Sequence, residues 1–387
     1  MHGKLRPVGS RVPLPSSVAV SMPWDSAYEA EYCASGTDAL AMAIGLAILA
    51  RPGVEKPEVI IPAYGCPDLV AAIVSQGAEP VLVDLVPETP FMDLHQLSEA
   101  VTDRTVAVVG VGLLGIPERL EELAEICNDH SLALIEDSAQ CFPPHSTRQR
   151  VADFVVLSFG RGKPINLMGG GAMLHRGSLT GEQQRYLEGL PKEKIQTGFL
   201  WRVKRVLFNL LMSRIGYLLL ERVPGLGLGK TRFEPHGVVT RREIPAGLMF
   251  AGLKHQSVRS SPHVLYEQQL QCLERAGWVL LGRERFRVAG MIAENPRLRF
   301  ALLAPDAAMR DEVVRALNAA GVGANGLYEV ALPGVDGIPL SKPQHEFPVA
   351  ADFAARLLTL PCHEDVTGAD VRRIAGILRA VGDLSPD

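Results

Sequence analysis

Lys163 stands in the stretch VVLSFGRGKPINLMGGGAML, residues 155–174. An apolar run leads into Ser158 and Phe159, a glycine-containing turn presents the lysine, and three glycines return the chain to a second apolar run. A lysine that leaves a strand end into a desolvated cleft loses basicity and becomes a nucleophile toward carbonyl carbon. Upstream, IEDSAQ places Asp137 and Gln140 just past another apolar run. A carboxylate there is costly to bury without a cationic partner; it either caps the next turn or faces a protonated ring nitrogen. Further upstream, SGTD (35–38) opens a helical pattern. Free N–H groups and the helix dipole make such a start a phosphate site, although the same residues also make an ordinary N-cap.

The elements that must position these groups alternate regularly from residue 35 to about 175. SGTDALAMAIGLAILA reads as a helix, EVIIPAY as a strand, LVAAIVSQG as a helix, EPVLVDL as a strand and DLHQLSEAV as a helix. TVAVVGVGL, LALIEDSA and DFVVLSF read as further strands, and PERLEELAEICNDH as a helix with its proline at the start. Strands without polar alternation, separated by helices, imply a largely parallel sheet covered on both faces, an α/β fold. After about residue 250 the texture changes. RLRFALLAPD, MRDEVVRALNAAG and VGANGLYEVAL read as strand, helix and strand, followed by a helical end, GADVRRIAGILRAV. The expected division is a large domain over 1–250 and a smaller C-terminal α/β domain over 251–387.

In an open α/β sheet, ligands sit beyond the carboxyl ends of the strands, where all three polar groups fall. A phosphate cradle, a buried acid and a lysine nucleophile, in that order, are what pyridoxal phosphate requires. The helix start takes the phosphate, Asp137 keeps the pyridine nitrogen protonated, and Lys163 holds the aldehyde and moves the substrate proton. The glycines after Lys163 let a flat cofactor approach the backbone.

With these blocks in order, the chain resembles the DegT/DnrJ/EryC1/StrS aminotransferases. The resemblance runs from SGTDALAMAI through EVIIPAYGCPDLVAAI, GAEPVLVDLVPETPFMDLHQL, VTDRTVAVVGVGLLGIP, LALIEDSAQ and ADFVVLSFGRGKPINLMGGGAML, and resumes in LLTLPCHEDVTGADVRRIAGIL. It implies an aspartate-aminotransferase-like fold (fold type I), with a mostly parallel seven-stranded sheet in the large domain. It implies pyridoxal phosphate as cofactor, glutamate as amino donor, and a nucleotide-linked keto-sugar as acceptor, in glycan or secondary-metabolite biosynthesis. It also implies a homodimer with sites at the subunit interface. By matching positions, Gly36, Thr37 and Ser158 bind phosphate, Asp137 pairs with the ring nitrogen, Gln140 lies near the ring, and Lys163 carries the aldehyde.

Three positions depart from the family pattern. Its stacking aromatic is Cys66 here, which leaves Tyr64 to stack or the ring less tightly held. Its histidine before YG-x-P is Gly112. Its partner-reaching Asn-x-Arg is replaced by VVTRREIPAGL, in which Arg241 or Arg242 can substitute. His145 and His363 are loop histidines, read as solvated or capping. Tyr328 lies in a region that lines the site in relatives, with core packing the other reading. RERFRV (283–288) reads as a solvated face.

The remaining numbers bound the class. The 387 residues are 47% apolar and 21% charged with net charge −4, a globular balance without a basic field for nucleic acid. Six scattered cysteines form no metal or disulfide spacing and read as reduced thiols, and the first twenty residues lack a signal-peptide core. The expected location is the cytoplasm, with no metal. FLWRVKRVLFNLLMSRIGYLLL (199–220) is apolar but interrupted by Arg202, Lys204, Arg205, Asn209 and Arg214. It reads as a helix packed into the protein or a dimer partner, ahead of a basic amphipathic helix on a membrane. The alternative to a transaminase is a cofactor-bound regulator or scaffold with little activity. A nicotinamide-dependent enzyme is disfavoured, since no G-x-G-x-x-G follows the first strand.

Overall fold

A computed structural model describes residues 4–221, 231–282, 296–340 and 342–382; the 283–288 run lies outside them. The long apolar runs pair side by side. β1 (Glu29–Cys33), β2 (Glu58–Pro62), β3 (Glu79–Val83), β4 (Thr105–Val111), β5 (Ala133–Asp137), β6 (Phe154–Ser158) and β7 (Gly171–His175) form one sheet in the order β3-β2-β4-β5-β6-β7-β1. The pairs from β3 to β6 are parallel, and β7 runs antiparallel to both neighbours. Two three-residue strands, β8 (Lys192–Lys194) and β9 (Arg241–Glu243), extend the β1 edge, so the sheet has nine strands where seven are expected. β2 and β4 are buried along their whole length, as strands covered on both faces must be.

Helix Gly36–Leu49 lies against β6 and β7 and is buried from Asp38 to Ala47. That burial explains its run of alanine and small apolar residues without a polar face. The opposite face of the sheet is covered by a second cluster that includes Trp24, Met92, Leu123, Phe159 and Leu248.

A second sheet joins β10 (Val279–Leu280), β11 (Arg299–Leu303) and β12 (Leu357–Pro361), all antiparallel. Its core gathers Tyr266, Phe300, Leu358 and Ile374, and Leu5 joins it from the N-terminal end. The expected strand over VGANGLYEVAL does not form. Residues 322–332 make only single bridges, Leu5 to Val322 and Asn325 to Thr359, and Leu327 takes φ +62. Gly323 lets the chain press against the Leu5 and Pro7 backbone, and β12 takes the strand's place beside β11. The helix expected to begin at Pro117 starts instead at Leu120. Glu118 is turned inward, where its carboxylate accepts from the Met92 and Arg119 amides.

Residues 199–220 form two helices, Phe199–Leu211 and Arg214–Glu221. Within the chain no residue of the first is buried, and Phe199 is 82% exposed. No helix among the described residues is long and apolar enough to cross a membrane.

Candidate active site

Parallel register brings the carboxyl ends of β4, β5 and β6 level. Val111 pairs with Asp137, and Asp137 with Val156, two residues before Ser158. The first helix begins opposite this edge, and between them lies a cavity of about 160 Å³. Gly36, Thr37, Asp137, Gln140, Ser158 and Lys163 all line it, together with Cys66.

The helix start is built for an anion. Ser35 caps it, its hydroxyl accepting from the Asp38 amide at 3.1 Å while its carbonyl accepts from the Ala39 amide at 3.2 Å. The Gly36 and Thr37 amides precede the first intrahelical bonds, and both residues line the cavity. Asp38 does not repel the anion, being turned away toward the Thr240 amide (2.8 Å) and His236. Burial pushes its pKa up, but the His236 ring 3.5 Å away and the hydrogen bonds from Ser35 and Thr240 outweigh that and hold it below the usual carboxylate range. A Cβ at Gly36 would stand 2.7 Å from the Ser158 Cβ, so a side chain there would occupy the space between helix and strand.

Asp137 accepts from the Ala139 amide at 2.9 Å. Burial raises its pKa, against the lowering by that amide and by the nearby Lys163 ammonium. A carboxylate so placed favours a second cationic or N–H partner inside the cavity. Lys163 leaves the turn after β6, where the Ser10 hydroxyl donates to its main-chain carbonyl at 3.1 Å. Asn166 returns a bond to the Ser10 carbonyl at 2.8 Å, and Arg259 donates to the Pro164 carbonyl at 3.0 Å. The glycines that follow serve the backbone rather than a ligand. Gly169 and Gly170 adopt positive φ, and a Cβ on Gly171 would run into the Ser35 carbonyl.

Tyr64 does not line the cavity. Its hydroxyl donates to the Tyr328 carbonyl at 3.0 Å, drawing the buried ring between Tyr328 and Phe353. Cys66 takes the cavity wall instead, its thiol pushed up to about 11 by burial. Tyr328 reaches the same place. Its hydroxyl accepts from Nε2 of Gln140, which lines the cavity, at 3.2 Å. At Gly112 no histidine fits, because a Cβ there would meet the Cys141 Cβ at 2.7 Å.

Arg241 and Arg242 are paired within the chain, with Glu31 and Glu193. Both loop histidines are buried rather than solvated. His145 meets Glu121 at 2.6 Å, and His363 bonds the Arg6 carbonyl at 3.0 Å. Arg299 escaped the sequence reading. It is held by Asn325 and Thr359 at 3.0 and 2.9 Å, and lines a small cavity beside Gln140 and Gly162. Burial lowers its guanidinium pKa to about 10. Among the described residues no group of three or more His, Cys, Asp or Glu side chains is placed to hold a metal.

The pattern of the DegT/DnrJ/EryC1/StrS aminotransferase family matches residues 27–215 and 255–379, most of the chain. The chain belongs to this family. It is 26% identical over 351 residues to UDP-N-acetyl-3-dehydro-α-D-glucosamine 3-aminotransferase of Acidithiobacillus ferrooxidans, covering 90% of this chain and 82% of that one. It is 32% identical over 145 residues to UDP-2-acetamido-2-deoxy-3-oxo-D-glucuronate aminotransferase of Pseudomonas aeruginosa, covering 37% and 39% of the two. In three dimensions the chain shares its fold with a sugar aminotransferase from Streptococcus pneumoniae in the PLP form. The TM-score is 0.64 at 17% identity, over 97% of this chain and 99% of that one.

Proposed function

We propose that this aminotransferase uses pyridoxal phosphate to move an amino group from glutamate to the keto group of a nucleotide-linked sugar. The observation that carries the reading is one cavity where a helix start, Asp137 and Lys163 converge. Gly36, Thr37 and Ser158 hold the phosphate, and Asp137 holds the proton of the ring nitrogen. Gln140 is fixed beside the ring by the Leu114 amide (3.2 Å) and the Tyr328 hydroxyl.

When bound, the cofactor supplies an electron sink for the pair released as the donor Cα–H bond breaks. The Lys163 amine would hold the aldehyde group and, with the donor in place, would take the Cα proton as general base and return it as acid. Arg299, which lines the small cavity beside Gln140, receives the donor carboxylate. Cys66, in place of an aromatic, leaves ring stacking to the cavity's aliphatic walls and Tyr328. The protein acts in the cytoplasm as a homodimer, with the 1–250 region as the cofactor-binding domain and 251–387 as the smaller one.

The test is to incubate the purified enzyme with glutamate and a panel of nucleotide-linked keto-sugars, following 2-oxoglutarate release and the sugar's mass. Formation of both products in equal amounts supports the reading. Release of 2-oxoglutarate with keto acids only would place the acceptor outside the sugars.

A further inference from the structure

We propose that the paired helices Phe199–Leu211 and Arg214–Glu221 lie in the plane of an anionic bilayer surface and hold the enzyme against it. At 3.6 residues per turn, Phe199, Val203, Val206 and Leu210 fall on one line, with Leu200 and Leu207 beside it. All six are exposed, and Ile215 and Leu219 of the second helix are exposed as well. The opposite side of the first helix is the one that meets the protein. Arg205 Nε and Asn209 Nδ2 donate to the Val12 carbonyl at 2.9 and 3.0 Å, and the Phe208 ring lies under the Arg161 guanidinium.

The apolar line is flanked by Arg202 on one side and Lys204 on the other, both exposed and without an ion pair among the described residues. No carboxylate occurs between Phe199 and Leu220, and Arg214 is turned inward to Asp370 at 2.6 Å. An apolar stripe bordered on both sides by long cationic side chains suits an acyl boundary beneath anionic headgroups, to which the cations extend. A second copy of this chain fits the same face poorly. Two-fold contact of the stripe with itself would bring Arg202 and Lys204 against their own copies.

The experiment is flotation of the full-length protein with phosphatidylcholine vesicles, with and without phosphatidylglycerol, at low and high salt. The wild type is expected to float with the anionic vesicles, weakly with the neutral ones, and to be released as salt screens the cations. Arg202→Gln and Lys204→Gln should each lower the bound-to-free ratio roughly 5-fold. Val206→Glu with Leu210→Glu should abolish flotation while thermal midpoint and lipid-free mass by light scattering stay at the wild-type values. Failure of the wild type to float with anionic vesicles at low salt overturns the proposal, whatever the variants do. A lipid-free mass that falls in the Glu variant also overturns it, because a second copy then covers the face.

Discussion

The Ser10 hydroxyl donates to the main-chain carbonyl of Lys163 at 3.1 Å, across 153 residues of sequence. The turn that presents the amine is therefore fixed by a strap from the N-terminal end, tied on by Arg6 to Glu364 and Asp365. Ser10→Ala removes one hydrogen bond, about 1 kcal/mol, and loosens the turn without touching the cavity. The expected result is kcat down roughly 5-fold with bound cofactor unchanged. Steady-state kinetics with a cofactor titration checks it, and an unaltered kcat would show that the strap does not position the lysine.

The cradle is tested from both ends. Gly36→Ala pushes a methyl toward Ser158, and should weaken cofactor binding by about 10-fold or more, a loss of roughly 1.4 kcal/mol. Asp137→Asn keeps the shape but gives up the charge opposite the ring nitrogen. Its expected effect is on turnover, roughly 100-fold or more, because proton transfer at the donor carbon loses its sink. Equilibrium dialysis and single-turnover rates separate the two.

Tyr64 serves as a strut rather than a stacking ring. Tyr64→Phe leaves the Tyr328 and Gly326 carbonyls without their hydroxyl donor and should cost about 1–3 kcal/mol of stability. The cofactor's absorption should stay at its wild-type position. A shifted spectrum with unchanged stability would return Tyr64 to the ring.

Much of this site is legible in the sequence because its chemistry is local. Lys163, Asp137 and the SGTD start each follow or precede an apolar run whose length defines a strand or helix end. Parallel register then brings those ends together. What is not legible depends on distant contacts. Tyr64 and Cys66 both read as ring neighbours until the carbonyls of Gly326 and Tyr328, more than 260 residues away, claim the Tyr64 hydroxyl. The strand expected at 322–332 fails for a similar reason, since Leu5 takes Val322 and Thr359 takes Asn325. Nor does periodicity alone say which side of the 199–211 helix meets the protein; the Val12 carbonyl decides it.

His363 links stability to pH. It is fully buried, and burial, helped by the Arg6 guanidinium, lowers its pKa to about 3 from the ordinary 6.5. The unfolded chain therefore binds a proton below pH 6.5 that the folded chain refuses, so stability is full above 6.5 and declines as pH falls toward 3. Between pH 6.5 and 5 the expected loss is about 2 kcal/mol. Denaturant melts of the wild type should show it, and in His363→Gln that part of the slope should vanish. An equal slope in both proteins would assign the dependence to other groups.

The most direct test of the central claim is the visible absorption of the purified protein loaded with pyridoxal phosphate, before and after excess glutamate, for wild type and Lys163→Ala. The wild type should show the band of the lysine-held cofactor, and glutamate should bleach it as 2-oxoglutarate appears in equal amount. Lys163→Ala should lack that band even when the cofactor is bound. A wild type that takes up no cofactor, or whose Lys163→Ala form gives the same band, would contradict the account. A loaded wild type that ignores every amino donor would point instead to a regulator or scaffold.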